Sequence, residues 1–262
     1  MSVTDAQCIV IKVGTSTLTY ENGKLNIRRI AKLTSVIADL CNSGRQVVLV
    51  TSGAIAVGVG KLGLGSRPSE TSSRQALSTV GQCELMSVYD RFFLENGYNI
   101  GQMLITKEDV DDKTRKTNLI NTFSKMFDYG VIPVINENDC VAVDEVVYGD
   151  NDTLSAVVAK LVGADLLIIL TDAQGLYDKD PSASKDAKLI PVVKNITPEH
   201  VNAAGGAGSK RGTGGMVTKL HAAQIATDAG IDTVVMNGEY PQKIYKLLDG
   251  ASIGTLFEKH GE

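Results

Sequence analysis

Cys8-Ile-Val-Ile-Lys-Val13 is a short run of mainly β-branched residues, and Gln46-Val-Val-Leu-Val50 is a second run of the same kind. Apolar runs of this length and composition predict buried β-strands. Between them, apolar residues recur at helical spacing from Ile27 to Cys41, with Asn26 able to cap the start and Gly44 placed to end the segment. The three segments together predict a strand–helix–strand unit with parallel strands.

The same alternation continues along the rest of the chain. Further strands are predicted at residues 100–105, 131–135, 166–170 and 233–236, and further helices at 74–96, 114–129, 153–161 and 216–229. This order predicts an α/β fold with a mostly parallel central sheet and helices on both faces. Two windows break the pattern, and we expect a small excursion or β-hairpin at 141–149 and an irregular glycine-rich loop at 205–215.

Composition narrows the class of protein. The chain has 262 residues, of which 43% are hydrophobic, and no linker divides it, so we expect one domain over residues 1–262. A net charge of −4 argues against the broad basic surface of a nucleic-acid-binding protein. Without a membrane-spanning segment or an N-terminal signal, we expect a cytoplasmic protein with no membrane partner. The four cysteines form no Cys-x-x-Cys pair, so neither a disulfide framework nor a zinc site is predicted.

Polar and glycine residues follow the predicted strands. The carboxyl ends of parallel strands meet at one edge of a sheet, where ligands bind. The residues expected there are Lys12, Gly14, Ser52, Gly53, Asn136, Asp139, Thr171 and Asp172. Ser52-Gly53-Ala54 leads directly into a predicted helix, whose first backbone amides favour an anion. A glycine in such a turn can also be purely structural, but several such turns on one edge favour a binding site.

Two lysines are candidates for binding phosphate. Lys12 lies in an apolar strand, where a lysine is seldom buried without a partner, and Lys219 follows a glycine-rich loop that enters a helix. Together they could stabilise a transferring phosphoryl group, although Lys12 could also extend along the surface to solvent. The run Gly149-Asp-Asn-Asp-Thr153 adds carboxylates that could orient the lysines or contact substrate, or could only cap a helix.

Two common nucleotide-binding patterns are rejected. Gly58-Val-Gly-Lys-Leu-Gly63 satisfies Gly-x-Gly-x-x-Gly, but it lies within a probable helix several residues after the strand, which is the wrong context for a dinucleotide site. The chain also has no Gly-x-x-x-x-Gly-Lys-Ser/Thr run, so its phosphate site is not a Walker A loop.

Seven ordered blocks resemble the amino acid kinase family, and within it the members that phosphorylate free glutamate. The likeness extends over nearly the whole chain, and its blocks lie at 10–16, 50–56, 101–104, 133–139, 149–152, 170–177 and 212–219. The resemblance implies a three-layer αβα sandwich. Roughly residues 1–165 would bind the acceptor, and residues 166–262 would bind ATP.

The family's functional residues carry over to matching positions of this chain. Lys12 and Lys219 would be catalytic, with Asp152 organising both lysines. The acceptor would be held by Ser52, Gly53, Asp139 and Asn151. ATP would be bound by Lys12, Gly14, Thr171, Asp172, Thr213, Gly214, Gly215, Met216, Val217, Thr218 and Lys219. The implied cofactor is Mg²⁺, held mainly by the phosphates rather than by protein ligands.

The implied reaction is transfer of the γ-phosphoryl group of ATP to the side-chain carboxylate of L-glutamate, the first step of proline biosynthesis. A carboxylate with a pKa of about 4.3 is already ionised at neutral pH, so no general base is required. The resemblance also implies feedback inhibition by L-proline and a homo-oligomer, either a dimer or a tetramer. Many relatives continue into a PUA domain, which we do not expect in this chain.

Two other functions stay open from the sequence. A kinase of the same fold could act on N-acetylglutamate, aspartate, carbamate or a nucleoside monophosphate, because the phosphate-binding residues would look much alike. A sensor that binds nucleotide or amino acid without turnover is the non-enzymatic alternative. The intact set of Lys12, Asp152 and Lys219 argues against the sensor.

Overall fold

A computed structural model describes residues 3–141, 151–205 and 215–260. Two sequence predictions fall largely outside these ranges. The excursion or hairpin expected at 141–149 lies outside the described residues from position 142 onward, and so do residues 206–214 of the expected glycine-rich loop.

The described residues form an eight-stranded sheet with the order β3-β4-β2-β1-β5-β7-β8-β6. The strands are β1 Cys8–Val13, β2 Gln46–Val50, β3 Ile100–Ile105, β4 Ile132–Glu137, β5 Leu166–Thr171, β6 Val192–Val193, β7 Asp232–Asn237 and β8 Thr255–Phe257. All paired strands run parallel except β7 and β8, which are antiparallel. The predicted mostly parallel sheet is therefore confirmed.

The helices of the described ranges are α1 Thr15–Leu18, α2 Ile27–Asn42, α3 Ala54–Lys61, α4 Thr71–Glu95, α5 Lys107–Asp111, α6 Lys113–Asp128, α7 Asn151–Val162, α8 Pro198–Ala204, α9 Met216–Asp228 and α10 Lys243–Leu248. The expected caps of α2 are confirmed. The Asn26 side chain accepts a hydrogen bond from the Arg29 backbone N at 3.1 Å, and Gly44 follows the helix with a φ of 92°. That left-handed conformation suits glycine.

Two apolar cores lie on opposite faces of the sheet. On one face, alternate residues of β1 such as Ile9 and Ile11 pack with α2, α4 and α10. On the other face, Val10 packs with α6, α7 and α9. Every residue of β1 is buried, as expected for a central strand covered on both sides. The arrangement confirms the three-layer αβα sandwich.

The sequence prediction missed β6 and β8 and ended several elements too early. With two and three residues, β6 and β8 are too short to show a periodic pattern. Strand β4 extends through Asn136 and Glu137, which were expected in a loop, because both residues pair with β3. Helix α7 begins at Asn151, two residues before its predicted start.

Helices α3 and α4 lie unusually close because glycines face each other across their contact. A Cβ on Gly58 would be 2.1 Å from the Leu77 carbonyl oxygen, and one on Gly81 would be 1.8 Å from the Ala54 carbonyl oxygen. Neither distance is compatible with a side chain. The structure therefore explains Gly58 by helix packing, in agreement with our rejection of a dinucleotide-binding loop.

Candidate phosphoryl-transfer site

The candidate site lies at the carboxyl edge of the sheet. Strands β1, β2, β4, β5 and β7 end there, and α3, α7 and α9 begin there. Parallel strands present their carboxyl ends on the same side, and helices that follow such strands direct their first backbone amides toward that side.

Three charged residues from distant parts of the chain meet at this edge. Lys12 belongs to β1, Asp152 to the first turn of α7 and Lys219 to the first turn of α9. Lys12 Nζ lies 2.5 Å from Asp152 Oδ1, and Lys219 Nζ lies 3.0 Å from Asp152 Oδ2. Asp152 is completely buried, and Lys12 and Lys219 are only 5% and 6% exposed. We call this group the Lys–Asp–Lys cluster.

The Lys–Asp–Lys cluster carries one carboxylate for two buried ammonium groups. Removing charges from water is costly, and a buried pair is stable only when each charge is compensated by partners. The Asp152 carboxylate fixes both ammonium groups at the edge where ligands bind. Two ammonium groups held side by side in a buried site would attract a phosphate group strongly.

The start of α9 is tied to the same carboxylate. Thr218 Oγ1 lies 2.9 Å from Asp152 Oδ2 and 2.8 Å from the Gly215 carbonyl oxygen. Lys219 Nζ also donates to the Gly215 oxygen at 3.3 Å. Met216 is half-buried and Val217 is 42% exposed. The predicted nucleotide residues Thr213 and Gly214 lie outside the described residues.

Gly14 and Gly53 lie at the two turns for which glycine was expected. A Cβ on Gly14 would be 3.8 Å from Lys12 Nζ, so a larger side chain would occupy the space beside that ammonium group. Gly53 has a φ of 91° and precedes Ala54, the first residue of α3. Since L side chains rarely adopt this conformation, glycine is what permits α3 to start directly after β2.

A second group of polar residues lies on the acceptor side of the site. Asn151 Nδ2 donates to the Thr51 carbonyl oxygen and to Asn136 Oδ1, at 2.7 Å each, and lies 3.2 Å from Ser52 Oγ. Asn136 Nδ2 in turn donates to Gln82 Oε1 at 2.8 Å. The hydrogen bonds bring the predicted residues Ser52 and Asn151 together.

Gln82 was not predicted at the site, and Asn136 was expected at this edge of the sheet without a binding role. Both residues are buried. Asn136 carried a visible signal, because it begins the polar run after β4. Gln82 carried none, since it lies in the middle of a helix. Tyr89, on the same helix, binds Thr51 Oγ1 through its hydroxyl at 2.9 Å, and burial raises the pKa of this phenol. Helix α4 therefore contributes two polar contacts to the ends of β2 and β4.

Asp139 lies outside this hydrogen-bonded group. It is half-buried after the end of β4, and its charged neighbours are Arg67 and Arg74. Burial raises the pKa of the Asp139 carboxyl above its usual 3.8, while the two guanidinium groups act in the opposite direction. None of the hydrogen bonds described above for Ser52 and Asn151 involves Asp139, so its place beside the same substrate stays a prediction.

Thr171 and Asp172 lie at the end of β5, as predicted. Thr171 is buried, and its hydroxyl donates to Asp172 Oδ1 at 3.1 Å. The Asp172 carbonyl oxygen accepts from Asn237 Nδ2 at 2.8 Å, which links the ends of β5 and β7. The Asp172 side chain is exposed beside these fixed groups. Its carboxylate is therefore available to hydroxyl or amino groups of a ligand.

The described residues contain no group of three or more His, Cys, Asp or Glu side chains arranged to hold a metal ion. At the site, each oxygen of Asp152 already contacts a lysine. Among the described residues of the site, the Asp152 carboxylate is therefore engaged by lysines. None of the helices within 3–141, 151–205 and 215–260 has both the length and the apolar character needed to cross a bilayer.

Comparison with known proteins gives a consistent result. The model of the amino acid kinase family matches residues 7–237. A glutamate 5-kinase of Clostridium perfringens is 52% identical over 263 residues, covering 98% of each chain. A glutamate 5-kinase of Listeria monocytogenes is 48% identical, covering 100% of this chain and 96% of its own. One from Caldanaerobacter subterraneus is 53% identical over 95% of this chain, which is 67% of its own length.

Solved structures of the same fold are more distant. An isopentenyl phosphate kinase in a substrate complex superposes with a TM-score of 0.67 at 20% identity, covering 96% of this chain and all of its own. The UMP kinase of Bacillus anthracis gives a TM-score of 0.63 at 15% identity, with 98% and 97% coverage. At these identities the likeness concerns the fold alone.

Proposed function

The chain belongs to the amino acid kinase family, and we propose that it transfers the γ-phosphoryl group of ATP to the side-chain carboxylate of L-glutamate. The products are ADP and L-glutamyl 5-phosphate, which enters proline biosynthesis. Relatives named glutamate 5-kinase, about half identical over nearly the whole chain, support the choice of substrate. The observation that carries the chemistry is the buried Lys–Asp–Lys cluster.

The reaction balances without a proton transfer. An oxygen of the ionised γ-carboxylate attacks the γ-phosphorus of ATP, and a new oxygen–phosphorus bond forms. The bond between the γ-phosphorus and the β,γ-bridging oxygen breaks, and ADP leaves with that electron pair. Negative charge accumulates on the transferred group and the leaving oxygen, so Lys12 and Lys219 stabilise the transition state. Asp152 holds both ammonium groups in place.

The acceptor side would bind a zwitterion. Ser52 and the turn at Gly53 are proposed to bind a substrate carboxylate through a hydroxyl and backbone amides. Asn151 and Asp139 are proposed to accept hydrogen bonds from the α-ammonium group. Asp139 would act from beside Arg67 and Arg74, its charged neighbours. These residues support the division in which residues 1–165 hold most of the acceptor site.

The nucleotide would lie over the ends of β5 and β7 and the start of α9. Thr171 and Asp172 would contact the nucleoside, and residues 213–219 together with Lys12 and Gly14 would contact the phosphates. Gly14 leaves room beside the Lys12 ammonium group, which supports close approach of a phosphate oxygen. Mg²⁺ would enter with ATP and add charge neutralisation, held mainly by phosphate oxygens.

The decisive assay measures acyl phosphate formation. The protein is incubated with Mg²⁺ and ATP, with or without L-glutamate, and acyl phosphate is trapped as hydroxamate by hydroxylamine. Glutamate-dependent hydroxamate is expected. A faster reaction with N-acetylglutamate, aspartate or UMP would assign another acceptor. ATP binding without turnover on any of these acceptors would favour a sensor.

Three further properties are proposed on the resemblance. L-proline is expected to inhibit the reaction by feedback, and the protein is expected to form a homo-oligomer. A cytoplasmic location agrees with four cysteines that are all free. Glutamate titrations with and without proline test the inhibition, and light scattering tests the oligomeric state.

A further inference from the structure

The acceptor side contains a chain of hydrogen-bonded side-chain amides. Contacts to backbone groups determine which end of each amide donates and which end accepts. Glu137 backbone N donates to Asn136 Oδ1 at 3.0 Å, and a backbone N–H can only donate. Asn136 must therefore present its Oδ1 there and direct its Nδ2 toward Gln82, so Gln82 turns its Oε1 toward Asn136. The same logic fixes Asn151, because its Nδ2 contacts the Thr51 carbonyl oxygen, which can only accept.

These directions determine which hydrogen-bond donors and acceptors the site presents to a ligand. The two hydrogens of Asn151 Nδ2 are used by the Thr51 carbonyl and by Asn136 Oδ1, with Ser52 Oγ as a longer third contact. The oxygen of that amide is left as an acceptor, which suits an ammonium group. Ser52 Oγ accepts from Asn151, so its own proton points elsewhere and suits a carboxylate.

Gln82 is the first residue of this hydrogen-bonded chain, and it lies on α4, which contains none of the predicted site residues. It is 8% exposed, and its Nε2 is buried with no hydrogen-bond partner within the described residues. A buried donor without a partner lowers the stability of the folded state. An apolar residue of similar size at position 82 would avoid this penalty. Gly81 lets α4 approach the Ala54 carbonyl oxygen, which brings the adjacent Gln82 close to the strand ends.

We propose that Gln82 is a positioning residue for the acceptor. It holds Asn136 through its Oε1 and thereby keeps Asn151 and Ser52 in the positions that fit an amino acid with a free α-ammonium group. This inference rests on the proposed function. Without Gln82, the Asn136 amide loses the acceptor for its Nδ2 and is held only through its Oδ1. The Asn136 contact to Asn151 is then less firmly placed, and Asn151 keeps only the Thr51 carbonyl oxygen as a fixed acceptor.

The test is a kinetic comparison of Gln82→Met, Asn151→Ala and the double variant. Gln82→Met keeps the length of the side chain and removes its hydrogen bonds. We expect its KM for glutamate to rise at least about tenfold, while the KM for ATP stays within about twofold and kcat changes less than the glutamate KM. Ser78→Ala, a buried substitution one turn earlier on α4, is the matched control and should change neither KM.

The double variant separates a positioning role from a structural one. If Gln82 acts through Asn151, the glutamate KM of the double variant stays within about twofold of that of Asn151→Ala alone. Multiplication of the two effects overturns the proposal, as does a fall in kcat with both KM values unchanged. A Gln82→Met enzyme equal to wild type overturns it as well.

Two controls keep the result decisive. Thermal unfolding verifies that each variant is folded, and Gln82→Leu takes the place of Gln82→Met if the latter does not fold. Wild-type protein that produces no glutamate-dependent hydroxamate contradicts the proposed function itself. Wild-type activity with unaltered kinetics in the Gln82 variants contradicts only the role of Gln82.

Discussion

Lys12 and Lys219 are 207 positions apart in the sequence (219 − 12), yet their ammonium groups bind opposite oxygens of one buried carboxylate. The central strand supplies one lysine, and a helix near the C-terminal end of the chain supplies the other. Because both cations are held before any ligand arrives, the site is organised in advance for a negatively charged group.

Lys219→Ala tests this relationship directly. We expect kcat to fall at least about a hundredfold, since the lysine stabilises charge that develops in the transition state. The glutamate KM should change far less, because the acceptor contacts lie on other residues. Lys125→Ala, which removes an exposed lysine paired with Asp128, is the control and should retain full kcat. Near-normal kcat in Lys219→Ala excludes a transition-state role.

Asp152→Asn should weaken the folded state. The change leaves two buried ammonium groups without their shared counter-charge, and breaking such an arrangement costs about 3–5 kcal/mol. Urea unfolding should therefore show a lower midpoint. Asp186→Asn, at an exposed pair with Lys179, should leave the midpoint unchanged. Saturating ATP with Mg²⁺ should recover part of the loss in Asp152→Asn, because bound phosphates restore negative charge. An unaltered midpoint contradicts the electrostatic account.

Glutamate binding should depend on pH through Asp139. Its carboxyl pKa is raised above 3.8 chiefly by burial, so it takes up a proton at a higher pH than an ordinary aspartate. The protonated form cannot attract an ammonium group, and the glutamate KM should therefore rise as the pH falls through the raised pKa. The folded state holds this proton more tightly than the unfolded chain does. Ionisation of Asp139 therefore lowers the free energy of unfolding as the pH rises from the ordinary pKa toward the raised one.

Asp139→Asn provides the comparison for this pH dependence. Its glutamate KM should be high already at neutral pH and should no longer rise through the ionisation of residue 139. The substrate's own γ-carboxyl, with a pKa of about 4.3, titrates equally in both proteins and cancels in the ratio of their KM values. A ratio that is constant with pH removes Asp139 from the acceptor site.

Gly81→Ala should destabilise the contact between α3 and α4. Its new methyl group would overlap the Ala54 carbonyl oxygen at 1.8 Å, so one helix must move. We expect a loss of at least about 2 kcal/mol in unfolding free energy and a higher glutamate KM, since Ala54 begins the helix beside the acceptor site. Gly65→Ala, where a Cβ meets nothing within 4 Å, should match wild type. Equal stability of the two variants would contradict tight glycine packing.

The sequence predicted those parts of the fold that repeat regularly and those site residues that adjoin a strand end. Lys12 was predictable because a lysine interrupts an otherwise apolar strand. The contact between Asn151 and Thr51 was not, because it depends on the sheet order that places β4 beside β2 and on the way α7 begins. In the sequence, Gln82 looks like any other polar residue of a helix. Its place at the site follows from the close contact of Gly81 with Ala54, which sequence patterns do not reveal.

The position of β1 has a consequence for how the chain folds. One edge of β1 pairs with β2, at residues 46–50, but its other edge pairs with β5, at residues 166–171. During synthesis one edge of β1 must therefore keep its backbone groups unpaired until residues 166–171 have left the ribosome. Open strand edges promote aggregation, so we expect the newly made chain to be prone to aggregation during this interval.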